Sequence, residues 1–196
     1  MKELIAIFAT ILNIVAYLVY FHQIKKEKSL PNPTTWGLWA FITLIDFLSY
    51  EELSGDFLTS ATFLIDSIAC GAIFLYLLWQ QKTKLLPNLE ELTIFILSIT
   101  AMYIWWCLKS VETASIVICI ASTLASVPTL RGVWKNPETE SPLSWWFSTF
   151  SYFFMTICVV IDMGYTVEYV APIALLVVHA KVAILASRKQ KHISKK

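Results

Sequence analysis

Long apolar runs with few charged residues restrict what this chain can fold into. The first run, residues 4–21, carries no charged side chain over 18 residues, and an apolar run of about that length can cross the hydrocarbon core of a bilayer as an α-helix. The sequence therefore predicts an all-α integral membrane protein with seven transmembrane helices, near residues 4–21, 35–50, 57–79, 92–108, 114–133, 144–161 and 166–187.

The composition supports this class and argues against several others. Hydrophobic residues make up 57% of the chain and charged residues 15%, whereas soluble domains carry about a quarter charged residues. A net charge of +1 gives no overall basic surface, so no nucleic-acid partner is expected. The sequence has no glycine-rich phosphate loop, no Ser/His/Asp pattern and no metal-ligand spacing, so neither an enzyme nor a cofactor is predicted.

Basic residues are unevenly distributed between the two sides that seven spans define. Counting Arg131 with the nearby loop, twelve Lys and Arg residues lie on the side of segments 22–34, 80–91, 134–143 and the tail, and two lie on the other. Because positive loops stay in the cytoplasm, the amino terminus is predicted outside and the carboxyl terminus in the cytoplasm. The expected location is a plasma or inner membrane.

The two halves of the chain are related by an internal repeat. At an offset of 109 residues, Ala16, Lys26, Pro33, Trp36 and Phe41 meet Ala125, Lys135, Pro142, Trp145 and Phe150 without a gap. The same offset carries the second and third predicted spans onto the sixth and seventh. The predicted plan is a first three-helix repeat (1–79), a loop and linker helix (80–110), a second three-helix repeat (111–187) and a basic cytoplasmic tail (188–196). One linker helix gives the two repeats a parallel orientation.

Two stretches that follow the first helix of each repeat carry a family resemblance. They are YFHQIKKEKSLPNPTTWGLWAF at residues 20–41 and VPTLRGVWKNPETESPLSWWFSTF at residues 127–150. Together with the 3+1+3 plan, they resemble the paired motifs of the SWEET and PQ-loop (MtN3-like) superfamily of seven-helix membrane transporters. The Pro-Gln pair of that family is Pro128-Thr129 in the second repeat and Val19-Tyr20 in the first.

The resemblance implies alternating-access transport of a small polar solute such as a sugar, an amino acid or a vitamin-like compound. In the family the motif proline lets a helix bend, so Pro128 is the candidate hinge, with a static kink as the alternative. The solute site is expected between the repeats near the midplane. The lipid bilayer is the other expected partner, and protons and a homo-oligomer are left open.

Polar residues inside the spans are the candidates for this site, because ionisable groups in a membrane are costly and usually face a cavity or a partner. Asn13 and Asp66 lie at a similar depth, about 13 Å from the outer surface, so they can share one pocket. The alternative is a structural Asp66 that is capped by hydroxyls such as Thr62 or Ser67, or that is neutral and buried. Asp46, about one turn from the end of its helix, is predicted to lie in a wetted vestibule.

Three further residues complete the predicted substrate site. His179 lies one turn from Leu175, the repeat equivalent of Asp66. The resemblance to the SWEET proteins implies that polar residues of these two helices, here Asp66 and His179, face each other across the solute path. A structural hydrogen bond between helices is the alternative for His179. Trp36 and Trp145 are repeat-related and form a candidate aromatic gate, with an interfacial tryptophan belt as the alternative.

Two other functions fit the same pattern. A receptor or structural protein of this fold would have a similar sequence. A retinal protein would use Lys181 as its Schiff-base lysine and Asp66 as the counter-ion, but the 109-residue repeat and the shallow position of Lys181 argue against it.

Overall fold

A computed structural model describes residues 2–55, 57–81, 89–108, 110–163 and 169–188, and every regular element within these ranges is a helix. The all-α class predicted from the apolar runs is therefore confirmed. Most of the predicted 80–91 loop, at 82–88, and the tail from residue 189 lie outside the described residues. In chain order the elements are α1 (Lys2–Lys25), α2 (Pro33–Ser54), α3 (Phe57–Gln81), α4 (Leu89–Leu108), α5 (Val111–Ala125), α6 (Val127–Lys135), a short 3-10 helix (Pro137–Thr139), α7 (Pro142–Met163) and α8 (Val170–Ala186).

Four helical stretches of the described chain are long and apolar enough to cross a bilayer: Lys2–Lys25, Ser60–Gln80, Ser115–Lys135 and Pro142–Ile161. Shorter apolar stretches occupy α4 and α8, and α2 is not among the four. The prediction of a helical membrane protein is thus confirmed by length and composition. Crossing of the membrane by α2, α4 and α8 stays a prediction.

Apolar side chains cover the outside of the bundle, and polar side chains are found within it. Leu18, Leu75 and Ile184 are more than half exposed, whereas Asn13 and Ser151 are fully buried. On a soluble protein an apolar surface of this extent would promote association. Lipid tails solvate such side chains, so this distribution agrees with a bundle that lies in a bilayer.

The helices pack in an arrangement that repeats itself. Helix α3 packs between α1 and α2, and α8 packs between α5 and α7. The two groups meet where α1 packs against α7 and where α2 packs against α5. If α1 corresponds to α5, α2 to α7 and α3 to α8, the contacts of the first group match those of the second. The α1–α3 contact then matches α5–α8, α2–α3 matches α7–α8, and α1–α7 matches α5–α2. Helix α4 packs against α5 and α2.

One end of the bundle holds the loops 26–32 and 136–141, and we call it the basic end. The backbone N–H of Leu30 donates to the carbonyl of Thr139 at 3.0 Å, which joins the two loops. The Arg188 guanidinium, after α8, donates to two carbonyls at the end of α6 at 2.9 Å. The two loops and Arg188 therefore lie at one end of the bundle.

Local signals at both ends of α2 determine its length. It begins at Pro33, after Asn32, whose side chain accepts a hydrogen bond from the Thr34 N–H at 2.9 Å. It ends at Gly55, which adopts a left-handed φ of 62° that favours glycine at this position. The helix therefore runs four residues beyond the predicted end at residue 50.

The fifth predicted span is interrupted where the sequence placed a proline. Helix α5 ends before Ser126, and Pro128 occupies the first turn of α6. Pro128 has no N–H to donate to the carbonyl of Leu124. At the same junction, the Ser126 hydroxyl donates to the carbonyl of Thr123 at 2.6 Å. The helix is thus divided at Ser126 into α5 and α6, and the use of Pro128 as a hinge stays a prediction.

Candidate functional site

A cavity lies at the centre of the bundle, where α1, α2, α3, α5, α7 and α8 meet. The cavity volume is about 40 Å³, which leaves room for about three ordered waters. Its polar and aromatic lining consists of the aromatic residues Tyr17, Tyr20, Trp36, Trp39, Trp145 and Tyr152, the hydroxyl residues Thr43, Ser122, Ser126, Ser144 and Ser148, and Asp66, Cys70 and His179.

Positions that line the cavity are related by the same 109-residue offset as the sequence repeat. Both halves of the chain therefore contribute equivalent positions to one cavity. Six such pairs line it: Tyr17 with Ser126, Trp36 with Trp145, Trp39 with Ser148, Thr43 with Tyr152, Asp66 with Leu175, and Cys70 with His179.

Asp66 carries a carboxylate into the cavity from α3 and is 1% exposed. Its Oδ1 accepts hydrogen bonds from the Asn13 amide at 2.7 Å and from the Tyr17 hydroxyl at 2.8 Å. The Tyr152 hydroxyl donates to Oδ2. All three donors are neutral, so none of them compensates the charge of the carboxylate. An ionisable group held in this way within a membrane bundle marks a candidate functional site.

The predicted proximity of Asn13 and Asp66 is confirmed by their hydrogen bond. Hydroxyls do cap Asp66, but they belong to Tyr17 and Tyr152 rather than to Thr62 or Ser67. The Ser67 hydroxyl donates to the carbonyl of Ala40 at 2.9 Å, and the Thr62 hydroxyl lies 3.4 Å from the Thr10 hydroxyl. Of the three donors to Asp66, the sequence singled out Asn13 on α1 but neither Tyr17 on α1 nor Tyr152 on α7.

His179 lines the same cavity, and Tyr152 lies between it and Asp66. The Tyr152 and His179 ring centroids are 4.9 Å apart, while the Tyr152 hydroxyl binds Asp66. The His179 Nδ1 lies 2.7 Å from the carbonyl of Leu175 on its own helix. Since a carbonyl can only accept, Nδ1 carries a proton in this arrangement. His179 and Asp66 thus belong to one site through Tyr152.

Asp46 does not lie in the predicted vestibule. It is 4% exposed, and its Oδ2 accepts a hydrogen bond from the Ser122 hydroxyl at 3.4 Å. The prediction was wrong because α2 continues to Ser54 and places Asp46 two turns from the helix end. Asp46 lies outside the cavity lining, behind Ser122.

An aromatic cluster of Tyr20, Trp36, Trp39 and Trp145 separates the cavity from the basic end. The Tyr20 ring lies 4.8 Å from that of Trp36 and 5.9 Å from that of Trp145. Trp39 completes the ring of contacts at 5.2 Å from Trp36 and 6.3 Å from Trp145. Trp36 is 5% exposed and Trp145 is 4% exposed, so neither belongs to an interfacial belt. The repeat-related pair is brought together through Tyr20 and Trp39.

The opposite side of the cavity is closed by apolar side chains, which we call the apolar seal. Ala9, Phe63, Met155 and Val159 are all at most 1% exposed and pack in one cluster. The first three lie about one turn beyond Asn13, Asp66 and Tyr152 on their helices. Buried side chains therefore pack on both sides of the cavity, the aromatic cluster toward the basic end and the apolar seal on the other side.

No family model, curated protein or solved structure matches this chain. The interpretation of the site therefore rests on the residues that form it.

Glu140 is a buried carboxyl group that sequence reasoning missed. It precedes α7 at the basic end and is 6% exposed. The Tyr20 hydroxyl donates to its Oε1 at 3.0 Å, and the Trp145 indole N–H donates to its Oε2 at 3.1 Å. Burial raises the pKa of Glu140 to about 7, although hydrogen bonds from Trp145, Tyr20 and Ser29 favour its ionised form and oppose this shift.

Three tyrosines of the site were also missed, and two of them left a signal in the sequence. Tyr17 lies one helical turn beyond Asn13, on the same face of α1. Tyr152 is the repeat equivalent of Thr43, which lines the cavity from the first half. Tyr20 falls within the motif stretch at the end of the first span and reads there as an interfacial residue.

The remaining chemistry of the described residues is limited. Lys181 on α8 is exposed and does not line the cavity, so it is not placed to form the Schiff base that a retinal protein requires. Within the described ranges, no three His, Cys, Asp or Glu side chains are grouped closely enough to hold a metal ion. No disulfide joins any of the four cysteines, all of which lie within the described residues. The site therefore offers hydrogen bonding, aromatic stacking and one carboxylate.

Proposed function

We propose that this chain is a membrane transporter, similar to the SWEET and PQ-loop proteins, that moves a small polar solute by alternating access. The observation that carries the proposal is the environment of Asp66. A buried carboxylate in a polar cavity at the centre of a bundle accepts hydrogen bonds from three neutral donors, and buried side chains pack on both sides of that cavity. Such a group is poised to bind a solute or a proton that enters when one end opens.

Two parallel three-helix repeats joined by a linker helix form the transporter. This plan is supported by the packing, in which α3 and α8 occupy equivalent places within their groups. It is supported further by the six pairs of cavity residues that share the 109-residue offset. A solute site at the interface of two repeats is typical of transporters with this architecture. Helix α4 is the linker.

The solute is neutral or cationic and carries several polar groups. Among the described residues, the cavity lining includes Asp66 but no lysine or arginine, so an anionic group would face an uncompensated carboxylate. Hydroxyls such as those of Thr43 and Ser148 supply hydrogen bonds to polar groups. The tryptophan faces provide stacking surfaces for a flat or ring-shaped solute and attract cations. Sugars, amino acids and vitamin-like compounds remain the candidate classes.

Transport requires the two closures to open in turn. The cavity has room for a few ordered waters, and we assign this arrangement to a closed state between two open ones. Opening at the basic end would separate Tyr20 and Trp36 from Trp145. Opening at the other end would separate Ala9 from Met155 across the apolar seal. Asp66 lies between the two moving regions and is accessible from each in turn.

Pro128→Ala is expected to slow solute exchange severalfold while solute affinity changes by less than twofold, an order-of-magnitude expectation for a change in the barrier between states. Restoring the N–H allows a hydrogen bond to the Leu124 carbonyl and stiffens the junction of α5 and α6 beside Ser126. Counterflow rates and thermal-shift affinities measure the two effects. Pro137→Ala, in the 3-10 helix outside the break, is the matched control. Unchanged exchange in Pro128→Ala would make the proline a static kink.

The protein is oriented with its amino terminus outside and its carboxyl terminus in the cytoplasm of a plasma or inner membrane. Lys28 at the basic end and Glu51 near the end of α2 are both exposed. With Cys107 replaced, Lys28→Cys is expected to react with an impermeant thiol reagent only from the cytoplasm, and Glu51→Cys only from outside. Reaction of both from one side would contradict a membrane-crossing α2.

Two measurements together test the transport proposal. A thermal-shift screen of sugars, amino acids and vitamins identifies ligands, because binding to the folded state raises stability by mass action. Counterflow of the labelled ligand in proteoliposomes then tests movement. Binding together with counterflow supports a transporter. Binding without counterflow contradicts transport and favours a receptor of the same fold.

A further inference from the structure

Glu140 lies outside the proposed solute site but binds the residues that close it. We propose that Glu140 is a proton-operated latch that holds the basic end of the cavity closed and releases it as the pH rises toward neutrality. As regulation of the solute path, this inference rests on the proposed function. The latch itself is a property of the closed structure and can be measured without any solute.

The geometry joins both halves of the chain through one carboxyl group. Tyr20 donates to Oε1 from α1, and Trp145 donates to Oε2 from α7. Ser29, in the loop that follows α1, forms a third hydrogen bond to Glu140. Tyr20 and Trp145 are also two of the four members of the aromatic cluster. Glu140 therefore fixes the position of two rings that separate the cavity from the basic end.

Neighbouring hydrogen bonds make the same connection between the loop after α1 and the segment before α7. The Ser141 N–H donates to the Ser29 hydroxyl at 3.2 Å. Deeper in the bundle, the Ser144 hydroxyl donates to the Gln23 side-chain oxygen at 2.9 Å. Opening of the basic end must break these links together with those of Glu140. Among these groups, Glu140 is the one with a carboxyl proton to lose.

The direction of the pH effect follows from burial. The closed state raises the pKa of Glu140 to about 7 from its ordinary value of 4.5, whereas an open state returns the carboxyl group to water and its ordinary pKa. The closed state therefore binds the proton more tightly than the open state. By linkage, raising the pH through the interval between the two pKa values favours opening, and the effect levels off above about 7.

Other charged and titratable groups near Glu140 do not reproduce this behaviour. From α1 it faces the phenol of Tyr20, and Lys28, Glu138 and Arg188 share a surface cleft with it. Lys28, Glu138 and Arg188 are exposed, so water and salt screen their charges. The Arg188 guanidinium is held by backbone carbonyls of α6.

Cys70 provides a probe of the closed cavity, because it lines the cavity and is buried behind the aromatic cluster. The experiment uses purified full-length protein with Cys107, Cys119 and Cys158 replaced by alanine. The rate of Cys70 modification by a small polar thiol reagent is measured from pH 5 to pH 8, with Glu140 and with Glu140→Gln. The rate in the protein with Glu140 is divided by the rate in the Glu140→Gln variant, and this rate ratio is free of the titration of the Cys70 thiol, which affects both rates equally.

The Cys70 modification rate with Glu140, divided by the rate with Glu140→Gln, is expected to rise about tenfold or more between pH 5 and pH 7, because loss of the Glu140 proton favours opening. The rate ratio is expected to level off above pH 7. A ratio that does not change with pH would overturn the latch. Tyr20→Phe keeps the ring but removes one donor to the carboxylate, so the levelling-off should move to higher pH. If Glu140→Gln does not fold, a wild-type to Tyr20→Phe ratio that is independent of pH would likewise overturn it.

The outcome is separable from that of the transport test. A pH-dependent ratio in a protein that exchanges no solute would support the latch and contradict transport. Solute exchange with a pH-independent ratio would contradict the latch alone.

Discussion

Asp66→Asn is expected to weaken solute binding roughly 10- to 100-fold while the protein still folds. The loss corresponds to one charge-assisted hydrogen bond, which contributes about 1.5–3 kcal/mol. Asparagine has nearly the same shape as aspartate, and its carbonyl can still accept from Asn13 and Tyr17. The Tyr152 hydroxyl can rotate and accept from the new amide, because a phenol both donates and accepts. The fold therefore tolerates a change that removes the charge.

Asp66→Leu is the matched comparison for a purely structural role. Leucine would leave the Asn13 amide and the hydroxyls of Tyr17 and Tyr152 without their acceptor, and each buried unsatisfied group costs about 1–3 kcal/mol. A purely structural Asp66 predicts that asparagine preserves binding and that leucine alone is harmful. A functional Asp66 predicts that both substitutions abolish tight binding and that leucine also lowers the melting temperature.

The pH profile separates the two ways in which Asp66 could act. Uptake into proteoliposomes is measured against pH in the Glu140→Gln background, so that the latch does not contribute. If Asp66 carries a proton, Asp66→Asn removes the remaining pH dependence, because an amide does not titrate. If uptake falls with an unchanged profile, Asp66 binds the solute. Equal uptake and equal profiles would contradict both roles.

Trp145→Ala is expected to open the basic end of the cavity and to destabilise the protein by about 3–5 kcal/mol, the usual range for removal of a buried tryptophan. Its indole contacts Tyr20, Trp39 and His179 at centroid distances of 5.9, 6.3 and 5.4 Å. It also supplies one of the hydrogen bonds to Glu140. Alanine removes one of the four aromatic side chains of the cluster and one of the hydrogen-bond donors to Glu140.

The expected readouts for Trp145→Ala are a lower melting temperature and modification of Cys70 at least about tenfold faster than in the parent, the factor given by a shift of about 1.4 kcal/mol toward opening. Trp146→Ala is the matched control, because Trp146 is half-buried and its N–H donates to Ser187 at the bundle surface. The control should change both quantities much less. Equal effects of the two substitutions would contradict a gate at Trp145.

The sequence by itself determined the membrane class and the principal helices. The length and apolar character of each run suffice for this, because a helix in lipid satisfies its own backbone hydrogen bonds. Such a helix can therefore be predicted from its own residues without knowledge of its neighbours. It also placed Asn13 and Asp66 at one depth, since the rise per residue converts sequence position into depth along a helix. The expectation of a kink at Pro128 followed from the missing N–H of proline, which is a purely local property.

Only the tertiary structure decided which groups meet. The donors to Asp66 lie on α1 and α7, and their approach depends on how those helices rotate and pack, which the apolar pattern of each helix alone does not fix. Tyrosine suits both a membrane interface and a buried site with a partner, so Tyr17 and Tyr152 could not be assigned from residue type. Asp46 was misplaced because the extra turn of α2 depends on the left-handed conformation of Gly55. Glu140 reads as a solvated loop residue, and its burial arises where the loop after α1 meets the segment before α7, more than 100 residues away in the chain.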